Sequence, residues 1–169
     1  MPVEIERKFL VTSDAWRTQA CATDIVQGYL SRDPDRIVRV RLRGEHAYLT
    51  VKGRAEGITR TEIEFPIPIE SGRDLLPLCL SPLIEKTRFE VQVGSHTWEI
   101  DEFHALNAGL IVAEIELGGE DEIFERPPWL GLEVSHDRKY TNSHLSVHPF
   151  STWNCTPDGS DLSGLEGEG

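Results

Sequence analysis

Cysteine is scarce in this chain. Cys21, Cys79 and Cys155 are odd in number and far apart. None stands in a Cys-x-x-Cys or Cys/His spacing, so neither a thiolate metal site nor a disulfide framework is expected, and reduced thiols suit a cytoplasmic protein. Long apolar runs are missing too. No stretch could span a bilayer, and the chain opens on charged residues rather than on a signal peptide, so no membrane partner is expected. Positive charge is in short supply: 17 Lys and Arg stand against 29 Asp and Glu, a net charge of −12. That balance argues against a nucleic-acid partner, which needs a basic face to displace counterions. No internal repeat is visible.

What is present is alternation. The 169 residues are enough for one domain with a real core. Val3 to Val11 reads as a strand, with Glu4, Glu6 and Lys8 on one face and Ile5 and Phe9 on the other. Taken alone, such a face is explained by solvent and an incidental ion pair. Later strands repeat the pattern, and they sort by sign. Arg39, Arg41 and Arg43 share a face opposite Val38, Val40 and Leu42. Lys52 follows on the returning hairpin strand, and Lys86 and Arg88 on another. Acid doublets stand at Glu62/Glu64, Glu99/Asp101 and Glu114/Glu116. Doublets of one sign on paired strands are costly unless opposite charge or a ligand lies between them.

About eight strands joined by short turns predict a mainly β fold with a few helices, an antiparallel sheet able to close into a barrel. With the charged faces inward, the lumen is acidic on one wall and basic on the other. Arg and Lys would hold phosphate oxygens. Paired carboxylates would hold Mg²⁺ or Mn²⁺, hard cations that take oxygen ligands. The apolar faces then point outward, under short helices expected at Ser13–Trp16, around Leu75–Leu80 with a break near Pro77, at Glu120–Arg126 and at Thr141–Val147. Residues 17–24 read as a loop. Arg7, on the apolar face of its strand, is expected outside. The domain is expected to span residues 1–148. Residues 149–169 form an acidic, flexible tail with no role in the core.

Glu4-Ile5-Glu6-Arg7-Lys8 matches the ExExK signature of the CYTH superfamily, the triphosphate tunnel metalloenzymes. Gln27-Gly28-Tyr29-Leu30, Arg39-Val40-Arg41, Leu49-Thr50-Val51-Lys52, Glu62-Ile63-Glu64, Glu85-Lys86-Thr87-Arg88, Glu99-Ile100-Asp101 and Glu114-Ile115-Glu116 resemble later family elements in the family's order. Glu133-Val134 with Asp137-Arg138-Lys139-Tyr140-Thr141-Asn142 resembles its C-terminal signature. The resemblance covers roughly residues 2–148. It implies an eight-stranded antiparallel closed β-barrel acting on triphosphates with Mg²⁺ or Mn²⁺, closest to the short bacterial inorganic triphosphatases.

By that resemblance, Arg39, Arg41, Lys52, Lys86, Arg88 and Lys139 bind the triphosphate with Lys8 beside them, and Glu4, Glu6, Glu114 and Glu116 hold metal. Glu4, Glu6, Lys8 and Lys86 are the catalytic candidates. Glu62, Glu64 and Asp101 are supporting acids, and Tyr29 and Tyr140 stand at a tunnel mouth. Tripolyphosphate hydrolysis to pyrophosphate and phosphate is the expected activity. A class IV adenylate cyclase, a thiamine triphosphatase and a polyphosphate-binding module are the alternatives. The oligomeric state is left open, a homodimer included.

Overall fold

The computed structural model describes residues 3–153. Nine strands follow one another: β1 (Val3–Val11), β2 (Cys21–Ser31), β3 (Ile37–Arg43), β4 (His46–Lys52), β5 (Thr59–Ile67), β6 (Leu80–Val93), β7 (His96–Phe103), β8 (Ile111–Glu116) and β9 (Leu130–Glu133). Two short helices, α1 (Ile69–Leu75) and α2 (Asn142–Leu145), and several single 3-10 turns complete the described residues.

The sheet order is β5-β4-β3-β2-β6-β7-β8-β1-β9, and an additional β5–β1 pairing closes eight strands into a barrel. Every neighbouring pair in the ring is antiparallel. β1 is shared between three partners. Val3–Ile5 pair with β5, Glu6–Leu10 pair with β8, and Phe9 and Val11 pair with β9. Closure removes the open edges of the eight-strand ring, edges that would otherwise invite pairing with another chain, and leaves the short β9 as the outlying strand.

Two apolar bodies frame the lumen. The larger lies outside the barrel, where Phe9, Trp16, Val91, Trp98, Ile100, Ala113, Ile115, Leu117 and Trp129 form one cluster. Phe9, Ile100 and Ile115 occupy the face opposite the charged residues, as strand alternation requires. The ring of Trp98 sits edge-on to Phe9, Phe124 and Trp129, at 5.6, 5.8 and 5.6 Å between centroids.

The smaller body comprises Ile84, Phe103, Leu110, Val112 and Leu145, with Tyr140, Phe150 and Trp153 packed against it. Ile84, Phe103 and Val112 are each two residues from an inward-facing charge, Lys86, Asp101 and Glu114. The inward face therefore turns from charged to apolar, and the segment after residue 137 caps it.

Four local expectations change. β2 begins at Cys21, not after residue 24: Cys21–Asp24 pair with Thr87–Glu90 of β6, so ladder hydrogen bonds order a segment with little alternation of its own. Glu120–Arg126 is not a helix. Phe124 is drawn onto Phe9 and Trp98, and Glu122 bonds to His96 Nε2 (2.6 Å) and to the Gly118 amide (3.0 Å), which holds the segment in an irregular path. The cover of the larger cluster is thus mostly this segment and the 3-10 turn Ala15–Gln19, not helices. Finally, Phe150 and Trp153, expected to stand apart from the core, pack on it, and the Phe150 amide donates to Asn107 Oδ1 at 2.8 Å. The remainder of the expected tail, 154–169, lies outside the described residues.

Candidate active site

The alternation does what its sorting by sign demands. Glu4, Glu6 and Lys8 of β1, Arg39 and Arg41 of β3, Lys52 of β4, Glu62 and Glu64 of β5, Arg88 of β6, Glu99 of β7, and Glu114 and Glu116 of β8 all line one cavity of about 210 Å³. Among the described residues, Tyr29 and Ile37 are the only apolar-bodied side chains in its wall. Lys86 and Asp101 lie just beneath, almost wholly buried.

The floor is a hydrogen-bonded charge network. Arg88 donates from Nε to Asp101 Oδ1 (2.8 Å) and from a terminal nitrogen to Oδ2 (2.9 Å), a bidentate pair. Its third nitrogen reaches Glu99 at 2.9 Å. Lys86 Nζ donates to Asp101 Oδ2 (2.7 Å) and to Asn142 Oδ1 (3.0 Å), tying the barrel to α2. Burial works against ionisation of Asp101, but Arg88 and Lys86 outweigh it and hold the carboxyl far below its usual range. Burial, with Arg88 and Arg41 nearby, pushes Lys86 down against the pull of Asp101. The carboxylate, accepting three N–H donors, is the charged partner that the site is built around.

The basic wall is held less completely. Arg41 Nε donates to Gln27 Oε1 (2.8 Å), its register partner. Burial and the neighbouring charges of Arg39 and Arg88 bring Arg41 down to about 9. Arg39 donates to Thr50 Oγ1 (3.2 Å), and lies 3.4 Å from Glu64. Its Nε is shielded from solvent and has no hydrogen-bond partner. A buried donor without an acceptor is costly, and the missing acceptor would be anionic in this setting.

The acid wall is crowded in turn. Glu6 stands opposite Glu116, and Glu99 opposite Glu114, in strand register. Burial, then the charge of Glu4, raises Glu6. Burial, then Glu4, Glu62, Glu99 and Glu6, raises Glu116. Bases relieve part of the wall: Lys52 Nζ lies 3.0 Å from Glu4 and 3.3 Å from Glu62, and Lys8 Nζ lies 3.6 Å from Glu114. Burial pulls Lys8 down, but Glu114, Glu6 and Glu4 more than offset it.

Among the described residues, no three His, Cys, Asp or Glu side chains converge tightly enough to hold a metal ion by themselves. Mg²⁺ asks for less, because it keeps waters and uses one or two carboxylates together with phosphate oxygens. Like-charged carboxylates crowded on one wall are donors of the right hardness for such an ion, so the residues fit.

Arg7 is outside the lumen, as its place on the apolar face requires, and is bidentate on Glu133 at 2.9 and 2.5 Å. Two expected residues fall elsewhere. Lys139 and Tyr140 line a separate surface groove with Asp137, not the charged cavity. Lys139 Nζ is 3.7 Å from Asp137, and the Tyr140 ring packs edge-on against Trp153. Other lining residues escaped the sequence reading. Arg60 shares the face of Glu62 and Glu64 and was legible from alternation alone. Thr141, Asn142 and Ser143 come from the cap, which no periodicity announces.

Comparison with known proteins agrees with this architecture. An inorganic triphosphatase of Acetivibrio thermocellus is 44% identical over 154 residues, covering 90% of this chain and 99% of that protein. One of Nitrosomonas europaea is 34% identical over 148 residues, covering 85% and 97%. A crystal structure of an inorganic triphosphatase superposes with a TM-score of 0.62 at 32% identity, covering 87% of this chain and 96% of that one. The CYTH domain description matches residues 2–146. With the charged barrel and its relatives in view, this chain belongs to the CYTH family.

Proposed function

We propose that the chain is a divalent-metal-dependent inorganic triphosphatase, cleaving tripolyphosphate to pyrophosphate and phosphate. The observation that carries this is the unpartnered, buried Nε of Arg39 on a wall of cations that faces a wall of carboxylates. Together they fit a polyanion accompanied by a divalent cation. The activity of the two curated relatives points the same way.

In this reading Arg39, Arg41, Lys52 and Arg88, with Lys8, hold and neutralise the phosphate chain, and Lys86 adds positive charge from just beneath it. Glu4, Glu6, Glu114 and Glu116 would hold Mg²⁺ or Mn²⁺. Such an ion, when bound, polarises phosphoryl oxygens and lowers the pKa of water. A carboxylate of the acid wall takes the proton of a water attacking the terminal phosphorus. The bond to the bridging oxygen breaks, and pyrophosphate leaves with that bond's electrons. Lys8 and the arginines stabilise its charge, and most of the catalysis is positioning and electrostatics. Asp101 does not touch substrate; it positions Lys86 and Arg88.

The test is a phosphate-release panel with tripolyphosphate, ATP and thiamine triphosphate, each with Mg²⁺, Mn²⁺ or EDTA. Tripolyphosphate is expected to be cleaved fastest, and only with metal. Tight tripolyphosphate binding without metal-stimulated release would instead make the chain a polyphosphate-binding module. Cyclic AMP from ATP would make it a cyclase.

A further inference from the structure

A second basic groove, of about 360 Å³, lies beside the cap. Among the described residues its lining contains four arginines, Arg32, Arg54, Arg60 and Arg138, two histidines, His144 and His148, and no carboxylate. That composition is unexpected in a chain of net charge −12. It also differs from the lumen, whose lining holds seven carboxylates against seven Lys and Arg. Arg60, Thr141 and Ser143 line both cavities, so the two share a wall.

Neutral groups anchor two of these guanidiniums. Arg32 donates to Ser146 Oγ (2.8 Å), to the Ser146 carbonyl (3.1 Å) and to the Ser81 carbonyl (3.1 Å). Arg60 donates twice to the Gly53 carbonyl, at 3.1 and 2.9 Å. These contacts fix the side chains without cancelling their charge. Arg54 is paired with Asp35 at the margin, and the Arg138 side chain is exposed. His144 Nδ1 is shielded from solvent and without a hydrogen-bond partner, its ring 4.9 Å from that of His148. Cation density and an unsatisfied polar atom thus coincide in one groove.

We propose that this groove is a second, metal-independent site for condensed phosphate, with free pyrophosphate as its ligand. In the lumen seven carboxylates offset the seven Lys and Arg, so a bare anion meets little net positive charge there. Among the described residues the groove's lining has no carboxylate, so a bare polyanion favours it. The choice of pyrophosphate rests on the function proposed above, since that product would leave a lumen that shares a wall with this groove.

The experiment is isothermal titration of the full chain with pyrophosphate in EDTA, for the parent, the double variant Arg54→Gln/Arg138→Gln, and the lumen variant Arg39→Gln. The double variant is expected to bind at least about tenfold more weakly, from the loss of two charged contacts. Its turnover of saturating tripolyphosphate with Mg²⁺ should stay within about twofold of the parent, which also reports that it folds. Arg39→Gln should retain the metal-free binding. Unchanged affinity in the double variant, or loss of metal-free binding in Arg39→Gln alone, overturns the proposal. The titration needs no catalysis. A chain that binds pyrophosphate through Arg54 and Arg138 yet leaves tripolyphosphate intact would refute the triphosphatase reading and keep the groove.

Discussion

Asp101 is gripped by Arg88 through both carboxylate oxygens, at 2.8 and 2.9 Å, on a floor where Lys86 takes the same carboxylate at 2.7 Å. One acid that does not line the cavity thereby holds Arg88 in the lumen wall and Lys86 just beneath it. Asp101→Asn removes the charge and leaves Lys86 and Arg88 buried without it. Breaking a buried ion pair by one partner costs about 3–5 kcal/mol. Urea unfolding should show a loss of that order, and a loss below about 1 kcal/mol would contradict the positioning role.

The same residue sets an acid limit. Its folded-state pKa lies below its ordinary value of 3.8, so the unfolded chain binds the proton more readily. Stability from this group is fully present above that ordinary value and is lost as pH falls through the folded one. The parent should therefore lose stability below about pH 4 more steeply than Asp101→Asn does. Thermal melts between pH 3 and pH 6 compare the two, and parallel curves would refute the linkage.

Arg41 lies between opposing demands. Burial and the charges of Arg39 and Arg88 disfavour its protonated form while no anion is bound. Arg41→Gln should leave the melting temperature unchanged or raised, because it relieves repulsion. Turnover of tripolyphosphate should fall by about 2–4 kcal/mol in the barrier, roughly 30- to 1000-fold in kcat/KM. Steady-state kinetics beside a thermal melt distinguish this trade from simple unfolding.

Glu4→Gln and Glu116→Gln test the other wall. Each should depress turnover on the order of 10²-fold or more under saturating Mg²⁺ while the fold survives. Near-normal turnover in both would remove these acids from the site.

Gly72 of α1 tests the packing that supports the basic wall from outside. A Cβ there would stand 2.6 Å from the Ala47 Cβ and 3.4 Å from Leu42 Cδ2. Gly72→Ala should destabilise by about 1–3 kcal/mol through overpacking, with tripolyphosphate affinity little changed. Unaltered stability would mean that α1 rides freely on β3 and β4.

The barrel and its inward charges were legible because the strand period is unambiguous: Glu62 and Glu64 share a face, and Lys52, the register partner of Glu62, supplies the opposite charge that makes such a doublet tolerable. What escaped was decided by contacts between distant segments. Glu120–Arg126 has local helical character, yet the pull of Phe124 toward Phe9 and Trp98 prevails. Cys21–Asp24 has almost no pattern and is ordered by β6. Lys139 and Tyr140 sit in a segment whose resemblance is to sequence, and its path over the cap carries them to another groove. Arg60 was overlooked although the same alternation names it.

The three-way sharing of β1 has a consequence for assembly. β1 finds its partners at Thr59–Thr61, Val112–Glu116 and Leu130–Glu133, all later in the chain. It must wait for nearly the whole molecule, since contacts so remote in sequence come with a heavy loop-closure entropy and form late. Seam closure and delivery of Glu4, Glu6 and Lys8 to the lumen are therefore one event, so a nascent or partly unfolded chain has no half-built site with which to hydrolyse anything.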